Sequence, residues 1–340
     1  MTKMTTISDV AKEAGVSITT VSRFLNGHFN KMSRTTKIKV DAAIKKLNYF
    51  PLKTVRRWAN EATKTVGLIL CDTSSQFSSF LFTGAFDVLH PLGFSLMLFN
   101  SDNSALAEEQ GIEQFVNHRV DGMIIEPSHE NFLAYSDLVI QRLPLVMVDR
   151  RVEGQPEAVN RVISDNFSSS FRAGIELVLK GYQRILLVGK VKKTSAQNQK
   201  VAGFKRAAKD FRIQVDLANL INKTSEQFGD ILERSLGKSY LKVKTAVVVL
   251  IEPLISEVLD FFSRKNIYFP EEIGLLAFDD SNWATYAQRG GIDLIKQDSY
   301  QIGKRAALNL ISYIQGKPNG IPSVDIIATK RIHGSSLKIL

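Results

Sequence analysis

The sequence predicts an α/β body of two lobes joined to a small all-α basic head, and three observations carry that prediction. Capped stretches with helical apolar spacing run through residues 1–50. From Thr65 onward, short β-rich runs alternate with helix-length amphipathic runs. Charge is unevenly spread: of the formal +10, residues 1–64 hold thirteen Lys and Arg against four Asp and Glu, so the rest of the chain carries only +1. A cationic module on a near-neutral body is the footprint of a polyanion binder, whereas solubilising charge would be scattered evenly.

In the head, Thr6 can cap a helix over Ile7 to Ala14, Gly15 interrupts it, and Ser17 can cap a second helix over Ile18 to Leu25. Asn26-Gly27 ends that helix with residues tolerant of positive φ. Ser33 opens a third, in which Ile38, Ala42, Ile44 and Leu47 form the expected apolar face. Asn48-Tyr-Phe-Pro51 stops it, because a residue before proline is pushed away from helical angles.

In the body, Val66–Leu70, Ser95–Phe99, Gly122–Ile125, Leu145–Val148, Ile185–Val188, Ala246–Leu250 and Gly274–Phe278 read as buried strands. Helical segments such as Glu108–His118, Ser168–Lys180, Lys200–Phe211 and Ser256–Lys265 lie between them, which argues for helices covering parallel sheets. There are more strands than one open sheet holds comfortably, hence two lobes. A chain of 340 residues also exceeds one ordinary core and carries a prior of roughly two to three domains.

A single cysteine, Cys71, excludes an internal disulfide framework and fits a reducing compartment. No basic-apolar-small leader is recognisable and no apolar run approaches the roughly twenty residues of a membrane span, so a cytoplasmic protein with no membrane association is expected. Catalysis is not expected either. The chain has no Walker loop, no GxGxxG after a strand, no GxSxG elbow and no HExxH; its five histidines are dispersed, and Cys71 has no spaced metal-ligand partners. Neither catalytic residues, a metal nor a cofactor is therefore assigned.

The stretch from Ile7 to Asn26, ISDVAKEAGVSITTVSRFLN, fits a helix-turn-helix throughout. Ala11 stands where two crossing helices approach, Gly15 occupies the turn, and Val10, Val16 and Val21 fill a small core. Here the chain resembles the lac repressor (LacI/GalR) family of transcriptional regulators, in Ile7-Ser-Asp-Val-Ala11, Ala14-Gly-Val-Ser17, Thr20-Val-Ser-Arg23 and Leu47-Asn-Tyr49, then in Val120-Asp-Gly122, Val148-Asp-Arg150 and Phe278-Asp-Asp280. The resemblance implies that Ile18, Thr19 and Arg23 face base edges, with Arg23 suited to guanine acceptors in the major groove. Ser17, Thr20 and Ser22 are then phosphate contacts that fix register, and Thr6 and Asn26 complete the DNA-facing set.

By the same resemblance the body is similar to a periplasmic sugar-binding protein, with an effector held between its lobes. The implied organisation is a helix-turn-helix domain at 1–50, a hinge at 51–64 and an effector-binding and dimerisation domain at 65–340. Its N-lobe spans about 65–162 and 292–322, and its C-lobe about 163–291 and 323–340. Asp72, Ser74, Phe77, Arg150, Lys200, Asp279, Trp283 and Gln297 match family effector contacts. Lys200 departs from the usual arginine and offers a point charge in place of a planar fork. Arg150 and Lys200 together suit an anionic ligand, and Asn100–Asn103, Val148–Arg151 and Phe278–Ala284 resemble the branch that senses 2-keto-3-deoxygluconate and related sugar acids, with neutral and phosphorylated sugars open as alternatives.

In the segment PLKTVRRWAN, residues 51–60, the family folds a hinge helix on DNA and wedges a leucine into the minor groove. Trp58 falls at the wedge position, where it either opens a base step or packs against its dimer mate or the body, while Lys53, Arg56 and Arg57 neutralise phosphates. One small helix-turn-helix reads few base pairs, so a homodimer on palindromic double-stranded operator DNA is expected. The C-terminus shows no heptad run that would extend it to a tetramer. The function so implied is a repressor of carbohydrate or sugar-acid catabolism genes controlled by a small-molecule effector. The alternative is a solute-binding protein with the same body, which would need an export signal and have no use for a basic head.

Overall fold

Side-chain caps and a handful of small apolar residues build the head. The computed structural model describes residues 7–25, 32–47, 62–191, 196–221, 223, 225–237, 240, 242–279, 290–317 and 320–337. The chain divides into two compact units, Met1–Ala62 with Ser136–Leu143, and Thr63–Tyr135 with Pro144–Leu340. Each is described by itself. The expected DNA contacts Thr6, Asn26, Lys53, Arg56, Arg57 and Trp58 lie outside the described residues, as does the expected effector contact Trp283.

Helices α1 (Ile7–Ala14), α2 (Ile18–Leu25) and α3 (Arg34–Lys46) form the head. The Ser17 hydroxyl accepts the Thr20 N–H at 3.2 Å, and Ser33 does the same for Thr36 at 3.2 Å. Each satisfies one of the backbone donors that a helix start leaves open. Gly15 adopts φ +64°, which a side chain would disfavour, and lets α1 turn into α2. Val10, Ala11, Ala14, Val21, Val40 and Ala43 make the core, with Val16, Phe24 and Leu47 packed on it. The expected face of α3 is corrected here: Ile38 is 61% exposed and Ala42 is exposed, while Val40 and Ala43 turn inward. Apolar residues lie on more than one side of this lysine-rich helix, so packing on α1 and α2 selects the face, a tertiary fact that spacing alone does not contain.

After the head the chain runs β1 (Thr65–Leu70), α4 (Gln76–Leu89), β2 (Ser95–Asn100), α5 (Ala105–Asn117), β3 (Gly122–Ile125), α6 (Ser136–Ile140), β4 (Leu145–Val148), β5 (Arg161–Ser164), α7 (Asn166–Leu179), β6 (Arg184–Gly189), α8 (Ala196–Phe211) and β7 (Gln214–Asn219), all but α6 in the body. It continues through α9 (Ser225–Leu236), β8 (Thr245–Val249), α10 (Pro253–Lys265), β9 (Gly274–Asp279), β10 (Asp293–Lys296), α11 (Ser299–Ile314), β11 (Val324–Ile327) and β12 (Lys330–Ile332). Two six-stranded sheets result, ordered β11-β5-β4-β3-β1-β2 and β12-β10-β9-β8-β6-β7. Both are parallel except for β12, which runs antiparallel to β10. Strands buried on both faces, such as β3, β4, β6 and β8, read as continuous apolar runs for that reason. Among the described residues no helix is long and apolar enough to cross a membrane.

The lobe boundaries move relative to the expected ones. β10 pairs with β9, Asp293 opposite Leu276, so 293–296 belongs to the second sheet and the chain returns to the first lobe only with α11. β11 pairs with β5, Val324 opposite Arg161, so 324–327 belongs to the first sheet and not to the C-lobe. Three segments therefore cross between lobes: after β5, after β10, and between β11 and β12. Hydropathy identifies a short strand without saying which of two sheets it joins; backbone pairing decides that.

Candidate functional site

On the head, the exposed start of α2 presents Ser17, Ile18, Thr19 and Arg23 to solvent, with Ile18 half exposed. An isoleucine left open in a domain this small is not serving its core. Thr20 and Ser22 are partly covered. Ser17 Oγ also lies 2.9 Å from Thr20 Oγ1, so these two hydroxyls serve the helix cap as well as any phosphate.

In the body, a cavity of about 350 Å³ collects the C-terminal ends of strands from both sheets. Asp72 follows β1, Asn103 lies beyond β2, Glu126 follows β3, and Asp149 and Arg150 follow β4. From the other lobe come Lys190 after β6, Ile251 and Glu252 after β8, Phe278 and Asp279 ending β9, and Gln297 after β10. Carboxyl ends of parallel strands form such crevices, above all where strand order reverses, as it does between β1 and β3 and between β6 and β8. The cavity's volume is that of a small-molecule site.

Of the expected effector contacts, Asp72, Phe77, Arg150, Lys200, Asp279 and Gln297 line this cavity. Ser74 does not; its hydroxyl donates to Asp72 Oδ1, and Ser75 and Ser78 line the wall in its place. Asn103, Glu126, Asp149, Lys190 and Glu252 were not anticipated, although most stand within three residues of a strand end, a positional rule that would have found them.

The two expected cations are built in differently. Arg150 pairs with Glu126 at 3.1 Å and donates to Asn103 Oδ1 at 2.7 Å and the Pro127 carbonyl at 3.4 Å. Burial is the largest single influence and would weaken its hold on the proton, but the acidic groups around it, Glu126 first among them, together outweigh burial and keep the guanidinium charged. Lys200 is 2% exposed; its Nζ donates to the Leu250 carbonyl at 2.9 Å and Gln297 Oε1 at 3.1 Å, and lies 4.0 Å from the centre of the Phe278 ring. Gln297 Nε2 in turn donates to Ser164 Oγ at 2.9 Å, which joins the ends of two crossover strands. The lining is not simply cationic, since Asp72, Glu126, Asp149, Glu252 and Asp279 face Arg150, Lys190 and Lys200.

Beneath the first-lobe wall, Cys71 donates its N–H to Glu126 Oε2 at 2.9 Å, and its thiol is pushed up by burial and by the charge of Glu126. A thiol so held is a poor nucleophile. Glu108 on α5 is fully buried and accepts from the Ser128 N–H and the Tyr135 hydroxyl. Burial raises its carboxyl above the ordinary 4.5, against the pull of those hydrogen bonds. A raised native pKa binds the proton more tightly than the unfolded chain does, so this contribution is present at low pH and lost as pH rises through the native value. Melting curves from pH 5 to 8 should accordingly show a shallower loss of stability with rising pH in Glu108→Gln than in the unaltered protein; parallel slopes would refute the assignment.

Glu176, Asp293 and His333 are grouped closely enough to resemble metal ligands, but Arg331 already pairs with both acids, at 2.8 Å from Glu176 and 2.6 Å from Asp293. Burial would raise Glu176, and the hydrogen bonds and charge of Arg331 hold it below the usual carboxylate value instead. The cluster ties β12 to α7 and β10.

Comparison with known proteins agrees with this architecture. A model described as bacterial regulatory proteins, lacI family, matches residues 6–51. One for periplasmic binding proteins and the sugar binding domain of the LacI family matches 63–236, and a periplasmic binding protein-like domain matches 176–337. The chain is 28% identical over 337 residues to the HTH-type transcriptional regulator KdgR of Bacillus subtilis, covering 98% of each. It is 31% identical over 325 residues to the ribose operon repressor of the same organism, covering 93% of each. Among solved structures, a transcriptional regulator CelR–cellobiose complex superposes with TM-score 0.73 at 23% identity, over 98% of this chain and 99% of that one. The lac repressor dimer bound to operator and an anti-inducer gives 0.68 at 20%, over 99% and 100%.

Proposed function

The chain belongs to the lacI family of bacterial regulatory proteins and is a DNA-binding transcriptional regulator, and on that premise we propose that a sugar or sugar acid held in the body's cleft governs the grip of the head on operator DNA. The observation that carries this reading is the convergence of both lobes' strand ends on one cavity. A ligand there touches both lobes, so it binds one lobe arrangement better than another and shifts the population between them. A repressor of carbohydrate or sugar-acid catabolism genes, released by its effector, fits relatives that include a ribose operon repressor and a regulator in complex with cellobiose. The lac repressor is a dimer on its operator, and the same assembly suits a single small reading head per chain here. A solute-binding role leaves the basic head without a purpose.

Selection of operator sites from random DNA, with and without neutral sugars, sugar acids and phosphorylated sugars, tests the proposal. A palindromic site whose occupancy falls with one ligand class is the expected result. Arg23→Ala should weaken the selected site by about 1–3 kcal/mol and relax specificity at one position per half-site, as removal of a major-groove base contact does. Exchanging Ile18 and Thr19 should alter the selected sequence; unchanged selection by both variants would remove α2 from base reading.

A further inference from the structure

At the first-lobe wall of the cleft, one arginine is gripped by residues that follow two other strands of its sheet. Arg150, beyond β4, reaches Glu126 beyond β3 and Asn103 beyond β2. Glu126 is anchored by the Cys71 N–H beyond β1, and Asn103 by its own N–H and side-chain amide on the Cys71 carbonyl, at 2.9 and 3.2 Å. Arg150, Glu126 and Asn103 all line the cavity. The Glu126 side chain is 6% exposed and that of Arg150 18%, so neither charge is much screened by solvent. Glu126 is thus part of the binding wall, and it is a carboxylate set against the group expected to receive an anion.

We propose that Glu126 is a specificity-determining residue that makes this wall a reader of hydroxyls and bars a carboxylate or phosphate of the ligand from Arg150. The inference rests on the reading of the cleft as the effector site and adds which end of the ligand faces which lobe. A second anion beside Arg150 would lie within a few ångströms of the Glu126 carboxylate, in a partly dry site where like charges strongly disfavour each other. A hydroxyl suffers no such repulsion. It both donates and accepts, so one hydroxyl can give its proton to Glu126 and take an N–H from Arg150, and two adjacent hydroxyls can share the pair. The ε-nitrogen of Arg150 enters none of the contacts described and is available for this. The ligand therefore presents hydroxyls to the first lobe, and the acidic group of any sugar acid lies away from Arg150.

Calorimetric titration with inorganic phosphate tests the filter without knowledge of the effector. Glu126→Gln should bind phosphate at least about tenfold more tightly than the unaltered protein, and the gain should vanish in Glu126→Gln/Arg150→Gln, which subtracts phosphate held by the basic head. Glu126→Asp, which keeps the charge, should behave as the unaltered protein does. Retained melting transitions and unchanged non-specific DNA binding show that each variant is folded. No gain in Glu126→Gln, a gain that survives loss of Arg150, or phosphate bound at Arg150 in the unaltered protein would each overturn the proposal. Should no sugar or sugar acid alter operator binding, the wider reading of the cleft fails while the phosphate result still decides the filter.

Discussion

Gly303→Ala is expected to lower the melting temperature of the body by about 6–12 °C. A Cβ at Gly303 on α11 would sit 2.0 Å from the Leu81 carbonyl oxygen of α4, and one at Gly84 on α4 would sit 2.0 Å from the Tyr300 oxygen of α11. The obstacles are backbone atoms of regular helices, which cannot rotate aside as a side-chain tip can. The helices must instead separate, and Leu81, Ala85, Ile302 and Ala306, all buried in the same cluster, lose their packing. Overpacking of this severity costs about 3 kcal/mol, and in a unit this large each kcal/mol moves the midpoint by roughly 2–4 °C. Gly229 on α9 is the internal control. A Cβ there meets nothing within 4 Å, so Gly229→Ala should stabilise by about 0.4–1 kcal/mol through helix propensity and reduced freedom of the unfolded chain. Equal melting of the two variants would show that the close approach of α4 and α11 carries no load.

The contrast between those two glycines also shows what a sequence holds and what it omits. Nothing local distinguishes Gly303 from Gly229; both interrupt amphipathic helical runs, and only the neighbouring helix decides which is indispensable. Among the described residues local features were expressed: Ser17 and Ser33 cap where their spacing predicts, Gly15 turns with positive φ, and the apolar runs at 66–70, 122–125, 145–148 and 274–278 are strands. Features that depend on partners distant in the chain were not. The inward face of α3 and the sheet membership of β10 and β11 follow from packing and pairing choices among elements of similar local character.

The cleft divides in the same way. Arg150, Lys200, Asp279 and Gln297 were found because they match a motif, and all four line the cavity. An acid after the run Gly122–Ile125 reads as an ordinary solvated strand end, and the pairing of Glu126 becomes visible only when β4 brings Arg150 to 3.1 Å. Paired charge then changes the chemistry of a site whose residue types, taken singly, point to anion binding.

Lys200→Met should abolish the response of operator binding to effector while leaving DNA binding itself intact. Methionine is one atom shorter and fills the same space with an apolar chain, but it removes the ammonium that sits over the Phe278 ring and donates to the Leu250 carbonyl and Gln297 Oε1. Gln297 is the joint: it accepts from Lys200 on α8 of the second lobe and donates to Ser164 at the end of β5 in the first. Lys200 thereby holds two of the three crossover segments to the floor of the cleft, and a ligand entering there meets a group whose position depends on how the lobes are set. A hydrogen bond from a charged donor is worth about 1.5–3 kcal/mol, so loss of one that Lys200 would give the ligand corresponds to an effector affinity lower by roughly 10- to 150-fold. The head has its own core of Val10, Ala11, Val21, Val40 and Ala43, which the substitution does not touch, so operator affinity without effector should change by less than about threefold. Operator titrations at increasing concentration of whichever ligand releases the unaltered protein would show it. Release of the variant at the same ligand concentration would mean that Lys200 supports the lobe without taking part in the signal, and would shift that role to Asp279 and the other groups at the ends of β8 and β9.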